Sequence, residues 1–164
     1  MQKKFMARAI EIAREAVDTD GTLPYAAIVV LDGEIIGEGL NRSVANCDPT
    51  SHGEVEAIRD ACRRLSLTSL KGAELYTSGE PCSMCVATMY QVGISRLYYA
   101  GTADDSAAFF QRLAAHDPKW ARSISNQKLR EQVGLPVHER DMGAEQMQRE
   151  GILDVYETFI KSCT

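Results

Sequence analysis

The sequence predicts an α/β fold: a three-layer domain with helices packed on a mixed sheet. Three observations predict it. Strand-like runs alternate with helix-period runs through most of the chain, the pattern of a sheet covered by helices. The first two strand-like runs are joined by Asp32-Gly33, a strong hairpin signal, so the sheet starts with an antiparallel pair. The 164 residues match the length of one domain and contain no repeat, low-complexity tract or linker, so residues 1–164 read as a single domain.

The elements follow in order. Phe5, Ala9, Ile12, Ala13 and Ala16 share one helical face, which predicts a helix over residues 3–17, ended by Asp20-Gly21. Tyr25–Leu31 and Glu34–Asn41 are the hairpin strands. Asp48-Pro49-Thr50 breaks the chain and supplies capping residues. A helix over Ser51–Leu65 then carries Val55, Ile58, Ala61, Cys62 and Leu65 on its apolar face. Ala73–Ser78 is a short strand, Cys82 to Val92 a helix, and Arg96–Ala100 a further strand. Helices at 105–115 and 119–132 follow, then a last strand at Pro136–Arg140 and a final helix at Ala144–Lys161.

Composition narrows the function classes. The chain is 45% hydrophobic and 25% charged, as ordinary soluble proteins are. No apolar run approaches the ~18 residues of a membrane span, and the N-terminus lacks a signal-peptide core. A cytoplasmic protein without a membrane partner is expected. The net charge is −5 and the isoelectric point about 5.2. Gripping a phosphate backbone usually takes a basic face, so a nucleic-acid partner is disfavoured. Cys47, Cys62, Cys82, Cys85 and Cys163 make an odd count, which argues against a disulfide framework.

Two fragments carry chemistry: His52-Gly53-Glu54 and Pro81-Cys82-Ser83-Met84-Cys85, each at a predicted helix start. Cysteines three apart on a first turn point the same way, and a helix N-terminus favours the thiolate. With His52 they make a three-ligand zinc site, and three protein ligands leave the fourth tetrahedral position open, as catalytic sites do. Glu54 is close enough to serve as the proton carrier. Alone, C-x-x-C reads as a redox pair and Ser51-x-x-Glu54 as a capping box. Together, H-x-E followed by P-C-x-x-C is the signature of zinc deaminases.

On these residues the sequence resembles the cytidine-deaminase-like superfamily, within it most closely bacterial guanine deaminases and fungal cytosine deaminases, with tRNA adenosine deaminases as relatives. The likeness covers roughly residues 1–101, chiefly the stretch from Asp48 to Arg59 and that from Leu75 to Cys85. It implies a central five-stranded sheet, zinc on His52, Cys82 and Cys85, and Glu54 as proton shuttle. It also implies substrate contacts at Asn41, Tyr25 and Gly53, and a homodimer. Gly53 stands where guanine deaminases commonly carry alanine, as in fungal cytosine deaminases. Residues 104–110 resemble the segment that closes the guanine pocket, with Gln111-Arg112 in place of its usual acidic pair.

The expected activity is hydrolytic deamination of a free nucleobase or similar aminated heterocycle, guanine first and cytosine second. The alternatives are adenosine-to-inosine editing of tRNA and, from another class, a non-catalytic zinc module. Glu54 argues against the last, because a structural site has no use for a carboxylate beside an open ligand position.

Overall fold

The computed structural model describes residues 2–163. Its elements are α1 (Gln2–Arg14), β1 (Leu23–Leu31), β2 (Glu34–Asn41), α2 (Gly53–Leu65), β3 (Glu74–Gly79), α3 (Ser83–Val92), β4 (Arg96–Gly101), α4 (Ala103–His116), α5 (Asn126–Gly134) and α6 (Arg149–Ser162). The strands form one sheet in the order β2-β1-β3-β4. β1 runs antiparallel to both β2 and β3, while β3 and β4 are parallel. No helix among the described residues is long and apolar enough to cross a membrane.

The three layers follow from the period-2 alternation of β1. Ala27 and Val29 pack with Val55, Ala57 and Ile58 of α2 and Cys85 and Met89 of α3. Ala26, Ile28 and Val30 face the other way, onto Phe5, Ile12 and Ala13 of α1. β2 passes unusually close to α2: a Cβ on Gly37 or Gly39 would run into the helix backbone at Ala57.

The sequence reading is corrected in four places. The helix expected over 119–132 starts only at Asn126, after a 3-10 turn at Pro118–Trp120, and the one expected over 144–161 starts at Arg149. The sheet has four strands among the described residues, where five are implied by the resemblance. The stretch 136–140 holds a short 3-10 turn, Val137–Glu139, rather than a strand. A strand needs a partner for its backbone groups and something to cover its apolar face. Pro136 has no N–H to give, and Val137 stays 54% exposed.

The chain divides into two compact units, one ending at Leu129 and one starting at Arg130. The first holds the sheet and the whole core. In the second, no described residue is buried. Its internal bonds are local, such as Asp141 N–H donating to Gln132 Oε1 at 2.7 Å.

The topology gathers chemistry at one edge. The C-terminal ends of β2, β3 and β4 and the N-terminal end of β1 lie on the same side of the sheet. The N-termini of α2, α3 and α4 therefore open there, where ligands of open α/β sheets usually bind.

Candidate active site

His52 and Cys82 are the N-cap residues of α2 and α3, with extended backbones at φ −75° and −74°. Cys85 lies one turn on and is fully buried. Neither cap residue's side chain accepts from a backbone N–H of its helix. Both face each other across the strand ends. Cys82 Sγ is 3.6 Å from Cys85 Sγ, and His52 Nδ1 is 3.7 Å from Cys82 Sγ and 3.5 Å from Cys85 Sγ.

These distances test the metal reading. Zn–S bonds of ~2.3 Å and Zn–N of ~2.05 Å at tetrahedral angles put the sulfurs ~3.8 Å apart and each sulfur ~3.6 Å from the nitrogen. The observed triangle matches within a few tenths of an ångström, and the donor set of one imidazole and two thiols suits a borderline-soft dication. Hydrogen bonds from Cys85 and then His52 hold the Cys82 thiol down at about 4, so its sulfur carries the charge a metal ligand needs. The bond to Cys82 and burial push Cys85 up. His52 is raised by its bond to Cys82.

Glu54 sits on the first turn of α2 and is only 6% exposed. Burial pushes its carboxyl up. The capping-box role open to Ser51 is not what the structure shows. Ser51 Oγ donates to Glu56 Oε1 at 2.8 Å and accepts from Asn46 Nδ2 at 2.9 Å. Arg59 Nη1 meets the same Glu56 oxygen at 2.6 Å. This half-buried network ties the loop before His52 to the second turn of α2.

A cavity of about 630 Å³ opens over the triangle, lined by Tyr25, Asn41, His52, Glu54 and Cys82 and, farther out, by Phe110, Trp120 and Arg122. Asn41, at the end of β2, is 4% exposed. Its Oδ1 accepts from Ser43 N–H at 3.1 Å and Ser43 Oγ at 2.8 Å, which leaves its NH₂ as the group to offer a ligand. Tyr25 is half-buried, and burial raises its phenol while a bond from Ser106 lowers it. Its ring lies 5.9 Å from that of Phe110 at 6°, and 6.0 Å from Phe109 at 72°. Gly53 lies between two cavity residues but turns to β1: a Cβ there would stand 2.6 Å from Tyr25 O and 2.8 Å from Ala26 Cα.

The structure thus brings His52, Glu54, Cys82, Cys85, Asn41 and Tyr25 together at one site. Sequence reasoning missed Glu80, Ser106, Trp120 and Arg122, which also line the cavity. Glu80 and Ser106 had a traceable signal, each following the C-terminal end of a parallel strand. Trp120 ends a 3-10 turn and Arg122 lies in the connection to α5, where the sequence reading expects helix instead.

Fold and site together define a deaminase-type domain. The description "cytidine and deoxycytidylate deaminase zinc-binding region" matches residues 1–101, and the chain belongs to that family. Guanine deaminase of Bacillus subtilis is 42% identical over 103 residues, which span 63% of this chain and 66% of that protein, just under two thirds of its length. The X-ray structure of guanine deaminase from Bacillus subtilis superposes with a TM-score of 0.82 at 30% identity, covering 98% of this chain and 94% of that one. A tRNA-specific adenosine deaminase of Agrobacterium fabrum is 38% identical over 118 residues, 68% of this chain and 77% of that protein.

Proposed function

We propose that the chain is a zinc-dependent hydrolytic deaminase of a small aminated heterocycle, with guanine the first substrate among the bare nucleobases. The observation that carries this reading is the His52, Cys82, Cys85 triangle with zinc-site dimensions, beside a buried Glu54 at the floor of a cavity. Zinc held there would supply a Lewis acid that activates water. Glu54 takes a proton from that water and passes it to the ring nitrogen next to the amine-bearing carbon. It then carries the second proton to the departing amine. Amine and water become carbonyl and ammonia. The Asn41 NH₂ donates to a ring acceptor, such as a carbonyl, and Tyr25 and Phe110 bound the ring plane. Gly53 serves the substrate through its backbone and through the close approach of β1 that its missing side chain permits. The likeness to guanine deaminase over nearly the whole chain supports guanine first, with cytosine kept as the second substrate to try.

The test is ammonia release with guanine, cytosine, adenine, their nucleosides and a tRNA anticodon stem-loop. Turnover of a free base is the expected result. Turnover of the stem-loop alone establishes the editing alternative, which the tRNA deaminase relative keeps open. Zinc bound with no ammonia from any arm leaves the non-catalytic module.

A single-domain, cytoplasmic homodimer completes this reading. Tyr90 on α3 is 82% exposed, and Val155, Tyr156, Phe159 and Ile160 on α6 are each more than half exposed. Apolar surface of that extent favours association. A monomeric mass by light scattering at micromolar concentration overturns the dimer.

A further inference from the structure

The outer wall of the cavity differs in charge from its floor. Arg122 lines that wall, and its guanidinium carbon lies 3.8 Å from the centroid of the Phe110 ring. Its one hydrogen bond there is from Nη1 to the neutral Asn126 Oδ1 at 3.3 Å. Among the described residues no carboxylate comes within ion-pair distance of it. The neighbouring Lys119 is different, because its Nζ meets Asp117 Oδ2 at 2.6 Å. The two carboxylates lining the cavity are Glu54, buried at the floor, and Glu80, whose Oε2 accepts from Ala103 N–H at 2.9 Å. The charge of Arg122 also reaches Tyr25, on the near wall.

A guanidinium keeps its charge at all working pH values, and its fork suits the paired oxygens of a carboxylate or phosphate. Stacking on Phe110 fixes its plane, so little is lost in ordering it around a ligand. A bare guanine or cytosine has no anionic edge for such a group. The cavity, at about 630 Å³, is in the size class of drug-sized ligands, so a ring and a charged substituent both fit.

We propose that Arg122 is a specificity residue and that the preferred substrate is an aminated heterocycle bearing an anionic group, carboxylate or phosphate, on the side away from the amine. The proposal rests on the deaminase reading, with bare guanine then a poorer relative of the true substrate. The ring lies between Asn41 and Tyr25 over the triangle, and the anion reaches outward to the Arg122 fork.

The experiment reads binding, so it is independent of turnover. Deaminated, product-type rings are titrated into the zinc-loaded protein in matched pairs, each anion on the side away from the reacting carbon: uracil with uracil-1-acetate, uridine with uridine 5′-monophosphate, and inosine with inosine 5′-monophosphate. Trp120 is the only tryptophan of the chain and lines the cavity, so its fluorescence reports occupancy, with calorimetry as the second readout. At least one anion-bearing ring should bind about tenfold or more tighter than its neutral parent, the size of one charge-assisted contact. The arm that does so tells carboxylate from phosphate. R122Q should bring that ratio close to one, and added salt should shrink it in the native protein. Equal binding of charged and neutral rings overturns the proposal, as does a preference that survives in R122Q. Failure of the deaminase reading shows separately, as an absence of ammonia from the amine-bearing counterparts of these rings, charged and neutral alike.

Discussion

The floor of the cavity is held by strand ends and first helical turns, whereas its outer wall is a turn that bonds mainly to itself. Asn41, Glu54 and Cys85 are 4%, 6% and 0% exposed, and each belongs to an element packed on the sheet. Across the cavity, Ile124 is 40% exposed. The backbone there is secured by near neighbours: Trp120 N–H to Asp117 O at 3.1 Å and Ala121 N–H to Pro118 O at 3.0 Å. Opening the floor means disrupting the core, while opening the wall breaks only a few local contacts. Chemistry that needs fixed geometry sits on the first, and contacts that choose the ligand sit on the second, a division seen in many enzymes.

The largest effect should come from breaking the floor. Replacing Cys82 and Cys85 together by alanine should take bound zinc from one per chain to none and abolish deamination. Metal analysis of the purified protein checks this, with Phe110→Ala on the opposite wall as the control that keeps its zinc. Full zinc in the double variant would mean the triangle is not the metal site.

Glu54→Gln separates proton transfer from metal binding. Zinc content and fold should be preserved, while kcat falls by about 10²–10⁴, the usual worth of a general acid–base. A variant that keeps more than about a tenth of native kcat contradicts the shuttle role.

The same division explains what was legible in the sequence. His52, Glu54, Cys82 and Cys85 stand out because two ligand pairs need fixed local spacing on helix starts. Asn41 and Tyr25 were found as strand ends on the resemblance. The strands and helices through Gly101 follow from apolar periodicity, since each buries a face. The wall had no such constraint: the helix expected over 119–132 starts only at Asn126, and Trp120 and Arg122 belong to the turn and the connection before it. The strand expected at 136–140 fails for the same reason, because alternation without a covering layer does not make a sheet. Gly53 was legible as a departure from relatives. Its packing against the β1 backbone was not, because close approach is a property of two segments.

Gly53→Ala probes where floor and wall meet. The added Cβ meets backbone atoms of Tyr25 and Ala26, which cannot swing aside as a side chain would. β1 must shift, at a cost typical of overpacking, ~1–3 kcal/mol. Tm should fall by about 2–4 °C for each kcal/mol at this chain length. Because Tyr25 moves with β1, KM should rise more than kcat falls, with zinc retained. Unchanged Tm and KM would show that β1 and α2 separate freely.

The smallest effect lies in the frame behind the floor, and it depends on pH. Arg8 of α1 grips Glu38 of β2 with both ends of its fork, Nε to Oε1 at 2.8 Å and Nη2 to Oε2 at 2.9 Å. The backbone N–H of Glu38 donates to Asp60 Oδ2 of α2 at 3.0 Å, so this residue links helices on both faces of the sheet. The Arg8 hydrogen bond holds the Glu38 carboxyl below its usual range. The unfolded chain therefore binds this proton more readily than the folded one. The pair's contribution is full above the unfolded carboxylate value of ~4.3 and is lost as pH falls through the lower folded value. With side chains 35% and 28% exposed, solvent screens the pair, so its worth at neutral pH is limited to about 1 kcal/mol. Glu38→Gln should thus be slightly less stable than the native protein in urea at pH 7, and the gap should narrow as pH falls below about 4.3. Its kcat and KM should match those of the native enzyme at pH 7, since Glu38 lies outside the cavity lining. A gap independent of pH would remove the ion pair as its cause. A change in KM would show that the frame and the cavity are coupled, and that the floor is less rigid than its burial implies.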